Sequence, residues 1–253
     1  MRTPFRAGAA ALALAFALSA CDSAASGDEA PAVIAPAAFD VGADAFPSAK
    51  SAGANYANAA LRVGVVSAVV GLNLALPSAA THAAARAEPF VTDGGVWVWE
   101  ATVDVLGTPV DLRLEGEPRG RETDWRLTTA SGDGEPFTYY TARTRLDGTA
   151  GTWTLFAPDA DGPVLRATFD TTGDRAEVTF SVPEGRDNGG SSVRYESEGS
   201  ARVFDWTDRP ENDRALIEWD GETGAGSIEA DTYRGGERAC WDAGLADVVC
   251  PAL

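Results

Sequence analysis

Acidic residues beside tryptophans are the part of this sequence that comes closest to a catalytic pattern. Glu218 and Asp220 flank Trp219. Asp205 likewise precedes Trp206. A glycoside hydrolase uses a pair of carboxylates, and a flat apolar ring can support the sugar. In an extended strand, however, Glu218 and Asp220 share one face and Trp219 takes the other. We therefore favour a half-buried strand whose acids face solvent, and keep carboxylate-dependent hydrolysis as a less favoured alternative.

Other catalytic constellations are missing from the sequence. It has no G-x-S-x-G nucleophile motif, no P-loop and no G-x-G-x-x-G after a predicted strand. The one histidine, His82, lies in an apolar segment, where we favour a helix-surface or capping role over a place in a Ser–His–Asp triad. The spacing of Cys240 and Cys250 differs from the C-x-x-C pairs of zinc sites. We therefore expect no enzymatic activity, no metal and no cofactor.

The N-terminus has a pattern of its own. Two arginines precede an uncharged apolar run, Ala7 to Leu18, which is too short to span a bilayer but suits a signal peptide. The residues Leu18-Ser19-Ala20-Cys21 resemble the lipobox of bacterial lipoproteins. That resemblance implies removal of residues 1–20 and attachment of diacylglyceryl to the Cys21 sulfur. An ordinary secretory signal with a coincidental cysteine is the alternative.

The resemblance to lipoproteins also implies where the protein resides. Several acyl chains on one residue give stable membrane attachment, whereas a single chain is marginal. We therefore expect an exported protein that is anchored to a membrane of the cell envelope. Asp22 follows the cysteine, and in enterobacteria this residue type favours the inner membrane. Other lineages sort differently, so inner and outer membrane, and periplasmic and surface side, all stay open.

Export has a consequence for the two remaining cysteines. With Cys21 lipidated, Cys240 and Cys250 form an even pair in an exported protein, which predicts a disulfide. The bond closes a short C-terminal loop, and chain-entropy estimates assign about 2–3 kcal/mol to a loop of this size.

The charge of the chain excludes one class of partner. Its 38 Asp and Glu residues outnumber 20 Lys and Arg residues, which gives a formal net charge of −18. The acids are spread along the chain, and no basic stripe is present that could release counterions from a nucleic acid. We therefore expect no nucleic-acid partner and leave protein partners open.

Composition divides the chain into three parts. Residues 1–20 form the predicted signal peptide, and residues 21–54 form the lipidated N-terminus and a flexible tether rich in Ala, Ser, Gly and Pro. Residues 55–253 form a single β-rich domain. We place N-terminal helices at 55–87 of this domain and the disulfide loop at 240–250.

The N-terminal region of the domain is apolar and helical in pattern. We predict one helix over 55–74 and a second over 77–86, because Pro77 suits the first turn of a helix. No charge occurs from Val63 to Ala80. We favour a helix buried against protein for this run over a helix that contacts the membrane.

Beyond residue 88 the sequence changes to period-two alternation. Trp97, Trp99 and Val103 share one face of the first alternating run. Asp-Gly and Asn-Gly turns separate such runs, and no helix lies between them, so the strands are antiparallel. We predict a mainly β fold, an antiparallel meander of about eleven strands that forms a curved sheet or open barrel. The predicted strands are 96–105, 109–117, 123–130, 136–144, 151–157, 163–170, 175–182, 191–198, 201–207, 214–220 and 227–233.

The apolar face of the predicted sheet needs a cover. The region 55–87 is the one large apolar element left to provide it, so we expect one or two N-terminal helices against this face. A helix followed by a curved open barrel is similar, at the level of fold, to the LolA/LolB type of envelope lipid carrier. That likeness implies an apolar ligand or lipid.

Together these patterns favour a non-catalytic envelope lipoprotein that binds an apolar ligand or lipid between helix and sheet, or has a structural role. A surface glycan-binding module is the alternative, because seven tryptophans are many for this length. That module needs at least two exposed, coplanar rings. We favour core positions for the tryptophans, because six fall at core positions of predicted strands or turns, and Trp241 lies between the two cysteines of the predicted disulfide.

Overall fold

The computed structural model of the protein describes residues 30–33, 46, 52–105, 107–131 and 134–251. The predicted signal peptide, the lipobox with Cys21 and most of the tether lie outside these residues. Within the tether, Val33 and Phe46 pack against the core of the domain.

Fourteen antiparallel strands form one sheet, in which each strand pairs with the next along the chain. The predicted mainly β meander is thereby confirmed, and its eleven predicted strands correspond to β2–β12. The strands are β1 (Phe90–Val91), β2 (Trp97–Val105), β3 (Thr108–Arg119), β4 (Glu122–Ser131), β5 (Phe137–Arg145), β6 (Ala150–Phe156), β7 (Pro163–Thr172), β8 (Arg175–Ser181), β9 (Ser192–Glu198), β10 (Ala201–Asp208), β11 (Asp213–Asp220), β12 (Gly226–Ala230), β13 (Ala239–Trp241) and β14 (Asp247–Val248).

The three strands that the sequence does not predict are β1, β13 and β14. Each has only two or three residues, too few for alternation to be recognised. Phe90 of β1 lies directly opposite Val98 of β2, and Val98 is fully buried although alternation puts it on the polar side. Among the described strands β1 and β14 are the two edges and do not pair with each other, so the sheet is open.

Alternation gives the sheet an apolar inner face and a polar outer face. On the inner face Leu114 and Leu127 lie opposite each other and are fully buried. The rings of Trp99 and Trp125 lie 5.8 Å apart on the same face. Gly116 makes room for Trp125, because a Cβ there would come within 2.8 Å of the ring. The predicted alternation therefore decides which side of the sheet forms the core.

One helix, α1 (Ala54–Ala84), covers the inner face. The break that we predict before Pro77 does not exist, because α1 continues through this proline. Proline inside a helix removes one hydrogen bond and costs about 3 kcal/mol in isolation. Here tertiary contacts outweigh that cost, since Pro77 is buried and the neighbouring Leu74 and Ala80 are buried in the core.

A buried hydrogen-bond chain fixes the last turns of α1 to the sheet. The Thr81 hydroxyl donates to the carbonyl of Pro77 at 2.7 Å and lies 2.8 Å from the Tyr140 hydroxyl. Since Thr81 has only one hydroxyl hydrogen, Tyr140 is the donor in the second bond. Burial raises the pKa of Tyr140, so its hydroxyl keeps the proton that this bond needs.

The first turn of α1 is fixed by the other end of the chain. Asp247 on β14 accepts hydrogen bonds from the backbone N–H groups of Ala54 at 3.2 Å and Asn55 at 2.9 Å. It thus acts as the N-cap that Gly53 cannot provide. The Asn55 amide donates to the carbonyl of Cys240 at 2.7 Å. The backbone N–H of Gly53 donates to the Leu245 carbonyl at 2.7 Å.

The predicted disulfide joins Cys240 to Cys250 and is confirmed. It closes the hairpin of β13 and β14, which carries Asp247. The bond therefore holds in place the loop that caps α1.

The Asp247 cap yields a stability prediction. Asp247→Ala leaves two N–H groups of α1 without their acceptor, so the free energy of unfolding should fall by about 1 kcal/mol. Urea unfolding followed by circular dichroism measures the change. Glu237→Ala is the matched control, because Glu237 is an exposed acid in the same C-terminal region and its removal should change stability by less than about 0.5 kcal/mol. Equal effects of the two variants would contradict the capping role.

Candidate functional site

The acids that the sequence singles out are held by structural contacts. Glu218 accepts a hydrogen bond from Arg238 at 3.0 Å. Asp220 accepts bonds from the Ser200 hydroxyl at 2.5 Å and from the Thr223 N–H at 2.7 Å. These bonds, the one from Ser200 above all, lower the pKa of Asp220 to about 2. The carboxylate therefore stays ionised and caps a turn.

Glycoside hydrolysis needs one carboxyl group that is protonated near neutral pH. Among the described carboxyls that have a shifted pKa, every shift is downward. In Asp124, for example, the hydrogen bond from Arg143 is the main cause of the lowered pKa. The other three are Asp147, Glu177 and Asp220. Asp205 is likewise paired, with two hydrogen bonds from Arg214. These contacts favour solvated, ion-paired strand positions for the acids.

His82 lies exposed in the last turn of α1. That position fits the helix-surface role that we favour for it. In the described residues, no three His, Cys, Asp or Glu side chains come together where they could hold a metal ion.

The tryptophans lie in or against the core. Five are buried, and Trp97 and Trp206 are half-buried and pack against the same core. The buried five are Trp99, Trp125, Trp153, Trp219 and Trp241. The described tryptophans therefore provide no pair of exposed rings of the kind that the glycan-binding alternative requires.

A concavity of about 650 Å³ lies on the outer face across β3–β6. Its charges compensate one another. Arg119 contacts Glu117 at 2.9 Å and Asp124 at 3.0 Å, and Arg143 contacts Asp124 at 2.6 Å. Because its carboxylates already have arginine partners, we treat this concavity as a solvated strand face.

A second cavity, between α1 and the inner face, is apolar. It measures about 250 Å³ and lies between α1 and strands β7–β10. We name it the α1 groove. The residues on its walls include Val65, Val66, Val69, Leu165, Phe180 and Trp206. It is the place where a cavity between helix and sheet was predicted.

The α1 groove exists because α1 does not fill the curve of the sheet. The helix packs mainly against β2 and β3 at one end of the sheet and against β12–β14 at the other. Its backbone lies farther from the middle strands, although inner-face residues there, such as Phe180 and Val193, are buried. Val65 and Val69 remain 55% and 54% exposed. Gly64 and Gly71 add no bulk, since a Cβ at either position would meet nothing within 4 Å.

An ion pair lies beside the α1 groove, next to Trp206. Arg62 is the one Lys, Arg, Asp or Glu residue in α1, and it lies on the same helix face as Val66 and Val69. Its guanidinium contacts Asp213 at 3.1 Å and stacks over the ring of Trp206 at 5.7 Å.

The remaining bonds of Arg62 lock this arrangement. The guanidinium donates to the Thr232 hydroxyl at 2.7 Å and to the Asn58 side chain at 3.1 Å. The side chains of Arg62 and Asp213 are only 16% and 8% exposed. The pair therefore fixes α1 against β11 and holds Trp206 at the groove.

Polar side chains line the α1 groove near the loop between β8 and β9. They are Ser181, Asn188, Ser191, Ser192 and Asp208. Asp208 is half-buried at the end of β10. Among the described residues its carboxylate has neither an ion pair nor a hydrogen bond. The groove therefore combines a long apolar wall with a short polar end.

Sequence reasoning missed the residues that form this groove. The charge-free run predicts a helix buried against protein, whereas Val65 and Val69 are more than half exposed. Arg62 gave a usable signal in the sequence. A single charge at helical spacing from two valines indicates where the apolar surface of that helix face ends. Its partner Asp213 lies 151 residues away and has no signal in the sequence.

Comparison with known proteins gives no relative for this chain: no family model, no curated protein and no solved structure matches it. A search of the described helices for a membrane span finds none of sufficient length and apolarity.

The Arg62–Asp213 pair yields the second prediction. Arg62→Ala leaves the Asp213 carboxylate buried without its cation, so the free energy of unfolding should fall by about 3 kcal/mol. The double variant Arg62→Met with Asp213→Leu should recover most of this loss, because no buried charge remains. Chemical denaturation measures both changes.

The exposed pair of Arg175 and Glu177 is the control. Arg175→Ala should cost less than about 1 kcal/mol, because water screens the pair. If Arg62→Ala and Arg175→Ala cost the same, the buried pair does not hold α1.

Proposed function

We propose that the protein is a lipid-anchored lipoprotein of the cell envelope that binds a single alkyl chain in the α1 groove. The observation that carries the proposal is the apolar cavity between α1 and β7–β10. Its walls are valines, Leu165, Phe180 and Trp206, side chains that make favourable contacts with methylene groups and offer no charge for a polar ligand.

The size of the α1 groove defines the ligand. Its volume of about 250 Å³ is just below the range of about 300–1,000 Å³ for small-molecule pockets. One alkyl chain suits this space, and a lipid with two or three chains needs more room. The exposed edges of Val65 and Val69 leave a side along which a chain can enter.

The lipobox at Leu18 to Cys21 supports the anchoring half of the proposal. A lipidated Cys21 holds the domain at a membrane through the tether of residues 21–54, which places an apolar groove close to a source of alkyl chains. The inner and outer membranes both fit this proposal.

Binding of an alkyl chain predicts a dependence on chain length. Each buried methylene contributes about 0.8 kcal/mol, so the dissociation constant should fall about fourfold per carbon from octanol to dodecanol. Isothermal titration calorimetry on the protein with Cys21→Ser, which removes the predicted lipidation site, measures the series. A dissociation constant that does not depend on chain length would contradict the proposal.

A blocked groove is the matched test of location. Val69→Trp places a large ring in the α1 groove and should weaken dodecanol binding at least about tenfold. Leu61→Trp adds the same ring on the exposed side of α1, outside the groove, and should leave binding unchanged. If both variants bind as the parent does, the ligand does not occupy the groove.

Lipidation has its own prediction. Cys21→Ser removes the thiol that forms the thioether, so the protein should move from the membrane fraction to the soluble fraction, because the acyl chains supply the attachment. Cell fractionation and mass spectrometry of the N-terminal peptide measure this. An unmodified Cys21 in the parent protein would contradict the anchoring.

A further inference from the structure

The polar end of the α1 groove contains one charge, and it is an acid. Of the residues that line the groove, Asp208 alone is ionisable; the other polar residues are three serines and Asn188. The arginines around Asp208 are engaged elsewhere or lie outside the groove. Arg214 lines a neighbouring concavity with Asp208 but is paired with Asp205. Arg62 is bound by Asp213, Thr232 and Asn58. Arg209 is exposed on the following turn and does not line the groove.

Fold stability does not explain Asp208. It lies directly opposite Asp213 in the pairing of β10 with β11, and like charges at such positions destabilise a sheet. Asp213 is committed to Arg62, whereas Asp208 has no ion pair or hydrogen bond among the described residues, although Arg209 and Arg214 line a neighbouring concavity with it. A residue that opposes stability and borders a cavity indicates a functional position.

We infer that the head group of the ligand carries hydroxyl groups and no negative charge, so that the ligand is a single-chain amphiphile of the monoacylglycerol class. The inference rests on the proposed function of the α1 groove. The Asp208 carboxylate accepts hydrogen bonds from the hydroxyls, and serine and Asn188 side chains both donate and accept.

The same carboxylate rejects an anionic head. A fatty-acid carboxylate held beside Asp208 would place two negative charges within a few ångströms of each other, in a partly buried site where water screens them poorly. The net charge of −18 adds to this repulsion over longer distances. Fatty acids in their ionised form are therefore poor ligands although their chains fit the groove equally well.

The test compares monolaurin with laurate, two ligands with the same chain, at a pH where laurate is ionised. Calorimetry on the protein with Cys21→Ser should show at least about tenfold tighter binding of monolaurin. In the Asp208→Asn variant the negative charge is gone, so the affinity for laurate should rise about tenfold. The affinity for monolaurin should fall about threefold, because its hydroxyls lose a charged acceptor. Asp187→Asn is the control, because it removes the same charge from the neighbouring loop outside the groove.

The outcomes separate the two proposals. If neither ligand binds and dodecanol also fails, the proposed function is wrong. If both ligands bind with equal affinity, and Asp208→Asn changes neither affinity, the proposed binding of an alkyl chain is retained and the head-group inference is overturned. The inference is also overturned if dodecyltrimethylammonium, which has a positive charge and no hydroxyl, binds more tightly than monolaurin, because charge alone would then explain the selectivity.

Discussion

In the described part of the chain, the inner face of an open sheet of fourteen strands has to be covered, and α1 does this. Everything else in the domain depends on how that helix is held. Asp247 caps its first turn, Arg62 binds Asp213 along its length, and Thr81 bonds to Tyr140 in its last turns. These three polar contacts determine the position of α1, while the apolar contacts supply the free energy of burial. The Cys240–Cys250 disulfide belongs to the same system, because it closes the loop that carries Asp247.

The cover is incomplete, and this gives the domain its cavity. Beside β7–β10 the helix leaves Val65 and Val69 more than half exposed, while Phe180 on the sheet is buried. Strands β7–β10 then face a groove whose walls are apolar and whose polar end contains Asp208. A cavity of this kind costs stability through lost packing. In our proposal an alkyl chain restores that packing, so the space that α1 leaves uncovered is the binding site.

The sequence predicts local structure well here and long-range placement poorly. Alternation such as that from Trp97 to Val103 identifies eleven strands, because side-chain direction in a strand depends only on neighbouring residues. The cap on α1 was not predictable, since Asp247 lies 192 residues from Asn55. Pro77 was assigned to a helix start by a local rule that tertiary packing overrides. The residues that line the groove were missed for the same reason, because the exposure of Val65 depends on where α1 lies relative to β7–β10.

Photo-cross-linking tests the central claim, that an alkyl chain occupies the space between α1 and the middle strands. A dodecyl probe with a diazirine near the chain end reacts with the residues that surround it, and peptide mass spectrometry locates them. The account predicts labelled peptides from α1 around Val66 and Val69 and from the strands that carry Phe180 and Trp206, with labelling suppressed by excess dodecanol. Labels confined to the outer face, or labels that excess dodecanol does not suppress, would contradict it.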